Sequence, residues 1–182
     1  MSKSNPENFS LSRPLVLIGM MGAGKTSVGR ALADLLDIPF FDADTEIEAA
    51  ARCSVAQIFA DYGEAEFRRM EQQVIARLLQ GGMCVLSVGG GAFMNEQTRA
   101  RIKELALSLW LKVDREILLK RVLRNGNRPL LKGDNPKEKF ERILNEREPV
   151  YALADLTVLC DDRPVMQTAK RVHEALQNTA LS

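Results

Sequence analysis

The run Gly19-Met20-Met21-Gly22-Ala23-Gly24-Lys25-Thr26 follows the pattern G-x-x-x-x-G-K-T, a loop built to hold phosphate. Its glycines let the main chain wrap an anion closely, with amides aimed at the oxygens. A helix N-terminus directly after the loop adds roughly half a positive charge. Lys25 then reaches the β- and γ-phosphates, and Thr26 offers a hydroxyl to Mg²⁺. The motif has meaning only in the order strand, loop, helix, and that order is present. Leu15-Val16-Leu17-Ile18 reads as a buried parallel strand, and Val28, Ala31, Leu32, Leu35 and Leu36 recur at helical spacing. A bound nucleoside triphosphate is therefore expected on Gly22, Ala23, Gly24, Lys25, Thr26 and Ser27.

Asp42-Ala43-Asp44 follows a short apolar run. On an extended strand end, alternate residues face the same way, which puts both carboxylates on one side. Beside a phosphate loop, Asp42 can hold Mg²⁺ through water while Asp44 meets an acceptor hydroxyl. A base so positioned contributes about 10²–10⁴-fold. The competing reading makes Asp44 only an N-cap next to Thr45. Gly89-Gly90-Gly91 is the second candidate. Three glycines cost backbone entropy and add no packing, so they suit close approach of a ligand to the main chain. A plain tight turn is the alternative. Asp114 also ends an apolar run, but there the position calls for an N-cap.

Arginines form the remaining constellation. Arg68 lies opposite most of the apolar stripe of its helix, and Arg147 lies near a helix end before Pro149. Taken singly, each reads as a solvated surface side chain. Arg128 sits in Asn125-Gly126-Asn127-Arg128-Pro129-Leu130-Leu131-Lys132-Gly133-Asp134. Turn residues, an apolar pair and charge fit a mobile lid over about 123–136 that closes on phosphates; a disordered connector fits the composition equally.

These groups need a scaffold, and the pattern supplies one. Further strands are expected at Ile38–Phe41, Met83–Val88, Leu107–Val113 and Leu156–Cys160. Capping boxes at Thr45–Glu48 and Ser54–Gln57 open helices, and others run near Glu64–Gln80, Asn95–Glu104, Asp114–Arg124, Pro136–Glu148 and from Pro164. Alternating strands and helices predict a three-layer α/β/α fold with a five-stranded parallel sheet. Ligands in such sheets bind beyond the carboxyl ends of the strands. The 182 residues suit one domain, 13–182, after a flexible polar lead-in at 1–12. A net charge of +1 gives no reason to expect nucleic acid or membrane as partner. Cys53, Cys84 and Cys160 are too few and scattered for a disulfide framework or zinc site, which points to a reducing cytoplasm.

Six motifs in order resemble the shikimate kinase family across about Pro14 to Leu176: the phosphate loop, Phe41-Asp42-Ala43-Asp44, Gly63-Glu64-Ala65-Glu66-Phe67-Arg68, the triple glycine, Asn127-Arg128-Pro129-Leu130-Leu131, and Arg147-Glu148-Pro149-Val150-Tyr151. The resemblance implies a P-loop kinase of the nucleoside monophosphate kinase type, using ATP and Mg²⁺ to phosphorylate the 3-hydroxyl of shikimate on the route to chorismate. It further implies that Lys25 stabilises the transferred group, Thr26 ligates the metal, and Asp42 holds it through water. Asp44 orients or deprotonates the nucleophile, while Arg68 and Arg147 clamp the substrate carboxylate. Glu71 is placed to hold Arg68, and Gly89, Gly90 and Gly91 line the substrate pocket. Arg128 closes with the lid, and Arg121 and Pro164 sandwich the adenine. A cytoplasmic monomer is expected.

Two departures stand out. Ala51-Arg52-Cys53-Ser54 occupies a stretch where relatives carry a glycine, and Tyr151 is followed by Ala152-Leu153-Ala154-Asp155 without the usual early acidic residue. His173 is expected on the surface. A gluconate or nucleotide kinase of the same fold, and a non-catalytic nucleotide or shikimate sensor, are the rival readings.

Overall fold

A parallel sheet lies at the centre of the computed structural model, which describes residues 9–124 and 135–180. Its strands are β1 (Leu15–Ile18), β2 (Phe40–Asp42), β3 (Val85–Ser87), β4 (Leu107–Val113) and β5 (Leu156–Cys160), in the order β2-β3-β1-β4-β5. All four β1 residues are buried because a central parallel strand is covered on both faces. The helices are α1 (Lys25–Leu36), α2 (Ala43–Ala51), α3 (Val55–Gln80), α4 (Glu96–Leu105), α5 (Arg115–Arg124), α6 (Pro136–Tyr151) and α7 (Val165–Ala180). In the covering layers α1 packs with α7, and α3 with both α2 and α4.

Register places the chemistry. Leu17 pairs with Ser87 and Ser87 with Asp42, while Ile18 pairs with Trp110. The ends of β1, β2 and β3 are therefore level, so Gly19, Asp42 and Gly89 emerge at one edge of the sheet.

Several local expectations shift. β2 starts at Phe40 instead of Ile38, although Pro39 still accepts a bond from the Val85 amide at 2.9 Å. The box at Thr45 does not form. Asp42 caps α2, its carboxylate accepting from the amides of Asp44 (3.1 Å) and Thr45 (3.5 Å). Asp44 thus stands in the first helical turn, and the two carboxylates meet through a strand-to-helix junction, not strand alternation. Ser54–Gln57 does form its capping box. From there α3 runs through Gly63, whose φ of 81° and ψ of 175° break the helix where Tyr62-Gly63 signals punctuation. α6 continues through Pro149 to Tyr151, three residues beyond the expected end.

Asp114 caps α5 through the Glu116 and Ile117 amides, as its position predicts. Cys84 and Cys160 are buried, and burial pushes each thiol up to about 11. His173 is half-buried, edge-on to Phe9 at 5.5 Å, rather than a free surface side chain. The segment holding Arg128, residues 125–134 of the expected lid, lies outside the described residues, as do residues 1–8 of the expected lead-in. No described helix is long and apolar enough to cross a membrane.

Candidate active site

A cavity of about 530 Å³ opens at the carboxyl edge of the sheet, bordered by the phosphate loop, the Asp42–Asp44 junction, and Gly89 with Gly90. The loop adopts its wrap because Gly22 and Gly24 take φ of 82° and 86°, values a side chain resists. Lys25 Nζ donates to the carbonyls of Gly19 (2.9 Å) and Met20 (3.1 Å), which holds its charge over the loop. Thr26 Oγ1 donates to Asp42 Oδ2 at 2.9 Å. One Asp42 oxygen therefore caps α2 while the other faces the phosphate-loop hydroxyl. Of the expected nucleotide residues, Ala23 is buried and does not line the cavity, whereas Gly22, Gly24 and Ser27 do.

Thr26 and Asp42 offer hard oxygen donors side by side. Among the described residues, no group of three or more His, Cys, Asp or Glu is placed to hold a metal. The Thr26–Asp42 oxygen pair fits Mg²⁺, which takes one or two protein oxygens and completes its shell with phosphate and water. Asp44 projects from the first turn of α2 toward Gly89, one oxygen 3.4 Å from where a Cβ on that glycine would stand. Burial raises its carboxyl above the ordinary aspartate value, the nearby Asp42 charge raises it further, and Lys25 opposes both. A carboxyl so held is suited to exchanging a proton with a hydroxyl.

The triple glycine has a steric explanation. None of Gly89, Gly90 and Gly91 has positive φ. A Cβ on Gly91 would overlap the Arg68 guanidinium, its Cζ standing only 2.9 Å away, and one on Gly90 would lie 2.7 Å from Arg147 Nη1. The missing side chains thus make room for two guanidinium groups converging on one loop from α3 and α6. Arg68 is anchored by Glu71 at 2.7 Å and by Glu64 at 3.4 Å. Glu71 is buried, and its second oxygen, Oε1, has no hydrogen-bond partner among the described residues and faces Gly89. Burial raises the Glu71 carboxyl, and the Arg68 charge opposes that rise.

Arg121 reaches the phosphate loop, donating to the Gly22 carbonyl at 3.2 Å, and it is also tied to the Asp161 carbonyl and to Asp162 Oδ1. Pro164 follows two residues later, exposed and outside the cavity lining, so the structure brings only Arg121 of that pair into the cavity wall. Sequence reasoning passed over Arg99, which donates to the Phe93 and Met94 carbonyls just past the glycines. It also assigned nothing to the Tyr151 hydroxyl, which donates to the Gly90 carbonyl at 2.5 Å. An arginine one turn past an Asn cap was the only available signal for the first. For the second it was the fixed spacing of Arg147 and Tyr151.

The family model described as shikimate kinase matches residues 21–177. The chain belongs to the shikimate kinase family. A shikimate kinase from Cereibacter sphaeroides is 53% identical over 166 residues, 91% of this chain and 83% of the relative. One from Bradyrhizobium diazoefficiens is 49% identical over 179 residues, 96% of this chain and 86% of the relative. Among solved structures, the shikimate kinase from Acinetobacter baumannii in complex with shikimate superposes with a TM-score of 0.88 at 34% identity, covering 93% of this chain and 96% of that one. A gluconokinase from Sinorhizobium meliloti shares the fold alone, at 18% identity and a TM-score of 0.59. Like other shikimate kinases, the chain is an ATP-dependent kinase.

Proposed function

We propose that this chain transfers the γ-phosphoryl group of ATP to the 3-hydroxyl of shikimate, with Lys25, Asp44, Arg68 and Arg147 in distinct roles. One observation carries the assignment of the acceptor: two arginines from separate helices meet at a side-chain-free loop, with the Asp44 carboxylate against the same loop at Gly89. Two guanidinium forks match a planar carboxylate, and a carboxylate beside the loop matches a ring hydroxyl. A gluconate carboxylate or a nucleotide phosphate would also meet two arginines, so the preference for shikimate over them rests on the family match, against only 18% identity to a gluconokinase; a sensor gives no reason for Lys25 and Asp44 together.

The residues divide the work. Amides of the phosphate loop and the α1 N-terminus hold the phosphates, and Lys25 leaves the Gly19 and Met20 carbonyls to neutralise charge on the transferred group. Thr26 and Asp42 would hold Mg²⁺, which when bound would offset the charge on the phosphates. Arg68 and Arg147 fix the acceptor by its carboxylate, so that its hydroxyl lies in line with the γ-phosphorus. Asp44 orients that hydroxyl and takes its proton as the bond to phosphorus forms. Pre-paid orientation is worth as much as about 7–11 kcal/mol in such reactions, so the clamp carries a large part of the acceleration. Arg128, outside the described residues, is assigned added positive charge for the phosphates, and Arg121, in the cavity wall, is assigned one face of the adenine. The unit is a cytoplasmic monomer, one domain over 13–182.

An assay coupled to ADP release, run with shikimate, gluconate and nucleoside monophosphates in parallel, tests the reading. Turnover is expected with shikimate alone. Absence of shikimate-dependent turnover at millimolar substrate overturns it.

A further inference from the structure

We propose that Tyr151 is a positioning residue for the acceptor half of the site, keeping the Gly89–Gly91 loop and Arg147 in register with the phosphate loop. The proposal rests on the shikimate kinase reading above and adds to it a residue that touches neither substrate.

Tyr151 ends α6 and is fully buried. Its ring packs on Trp110, centroids 5.9 Å apart, and Trp110 pairs with Ile18, the residue before the phosphate loop. Three elements meet at its hydroxyl. The phenol donates to the Gly90 carbonyl at 2.5 Å and lies 3.9 Å from the sulfur of Met20 within the phosphate loop. Arg147, one helical turn back, stands with its Nη1 over the same Gly90, and its charge acts on the phenol. A phenol has one proton to give and lone pairs to receive. Here the proton goes to the acceptor loop. Burial raises the phenol above its ordinary value, with Arg147 opposing, so the donor stays protonated at neutral pH.

A tyrosine that merely filled the core would tolerate phenylalanine, which keeps the ring and its contact with Trp110. A positioning hydroxyl would not. Its loss leaves the half-buried Gly90 carbonyl short of its donor, which costs stability in that loop. The consequence falls on acceptor binding, because ATP phosphates meet the loop's own amides.

For Tyr151→Phe in the full chain, KM for shikimate should rise about tenfold while kcat stays within about threefold. ADP affinity by calorimetry should not change. An unchanged KM, or equal loss of shikimate and ADP affinity, overturns the proposal. Hydrogen exchange separates its failure from that of the functional reading. The Ala92 and Met94 amides donate to the Gly89 and Gly91 carbonyls, and in the variant they should exchange about tenfold faster, with α1 amides unaffected. That readout needs no turnover, so a chain inactive on shikimate still decides the point, and equal exchange rates overturn it. If the variant does not fold, the wild-type Tyr151 phenolic proton decides, because it should be protected in NMR spectra; rapid exchange with water counts against the role.

Discussion

The two halves of the cleft use glycine for opposite reasons. In the phosphate loop, Gly22 and Gly24 supply left-handed backbone, so that successive amides curl around an anion. In the acceptor loop, Gly89, Gly90 and Gly91 have ordinary backbone angles and instead supply empty space, which the guanidinium groups of Arg68 and Arg147 occupy. The phosphate cradle of the donor half is largely main chain and contiguous, with Asp42 and Arg121 joining it from outside the loop. The acceptor half is side chain, gathered from α2, α3 and α6 and held by the Arg68–Glu71 pair and the Tyr151 hydroxyl. Charge transfer to phosphate is a problem shared by many kinases, and a backbone solution serves all of them. Choice of acceptor is particular, and it sits where side chains differ.

Asp44→Asn lies at the junction of the two halves and should have the largest effect. The amide keeps the shape and the α2 turn but cannot take a proton, so kcat should fall about 10²–10⁴-fold with ADP affinity and the circular dichroism spectrum retained. Near-normal turnover would remove the role assigned to Asp44.

Arg68→Leu comes next. KM for shikimate should rise on the order of 10²-fold while ADP binding holds, since the guanidinium belongs to the acceptor half. Equal loss of both ligands by calorimetry would show that the halves are not separable. The same variant leaves the buried Glu71 charge unpaired, which destabilises toward the lower end of roughly 3–5 kcal/mol because Arg68 is partly exposed. The pH dependence has a definite sign. Burial already lifts Glu71 above its ordinary value of 4.5, and Arg68 is the largest opposing influence. Without Arg68 the folded-state value rises further. Between 4.5 and that value the unfolded chain has lost its proton and the folded chain has not, so stability falls as pH rises. Melting temperature should therefore drop from pH 4.5 upward more steeply in Arg68→Leu than in the parent, and Glu71→Gln in the same background should flatten it. Parallel pH curves would contradict the pairing.

A matched pair of alanine substitutions probes the two uses of glycine directly. Gly91→Ala pushes the Arg68 guanidinium aside, and a side-chain tip moves cheaply, so folding should survive while KM for shikimate rises about tenfold. Gly24→Ala forces a side chain onto φ of 86°, at about 1–2 kcal/mol, and should weaken ADP with shikimate affinity little changed. If Gly91→Ala weakened both ligands alike, space for Arg68 would not be what that glycine provides.

The donor half was legible because its geometry is local. A loop pattern, a strand before it and a helix after it suffice to place Lys25 and Thr26, and strand–helix alternation gives the parallel sheet. The acceptor half is not local, and its residues became a set only through the family resemblance. Register is what levels Asp42 with Ser87, and no periodicity along the chain encodes which strands are neighbours. The Asp42–Asp44 pair was found for the wrong reason: period-two alternation was invoked, but Asp42 ends its strand by capping α2, because a carboxylate accepting two helical amides outweighs one more residue of extended pairing. Glu71 was assigned to Arg68 from spacing, yet its burial could not be read, since a glutamate within an apolar stripe normally reads as a boundary position. Tyr151 had a place in a motif but no role, and its burial at the end of α6 shows only in the fold.

The smallest expected effect concerns a place where sequence and structure agree on a defect. Arg52 lies in the Ala51–Ser54 stretch that departs from the family pattern, and it ends α2 in the left-handed region with φ of 56°. Glycine is favoured at such a helix end because it has no Cβ to clash with the carbonyl. The arginine bears a strain of about 1–2 kcal/mol, part of which glycine would return as unfolded-chain entropy. Arg52→Gly should thus stabilise the chain by about 0.5–1 kcal/mol in urea denaturation, with both KM values unchanged. Neither half of the cleft draws a ligand from this turn, so a shift in shikimate KM would mean that the α2–α3 junction transmits to Asp44. A loss of stability would mean that Arg52 is held in its conformation by contacts worth more than the strain.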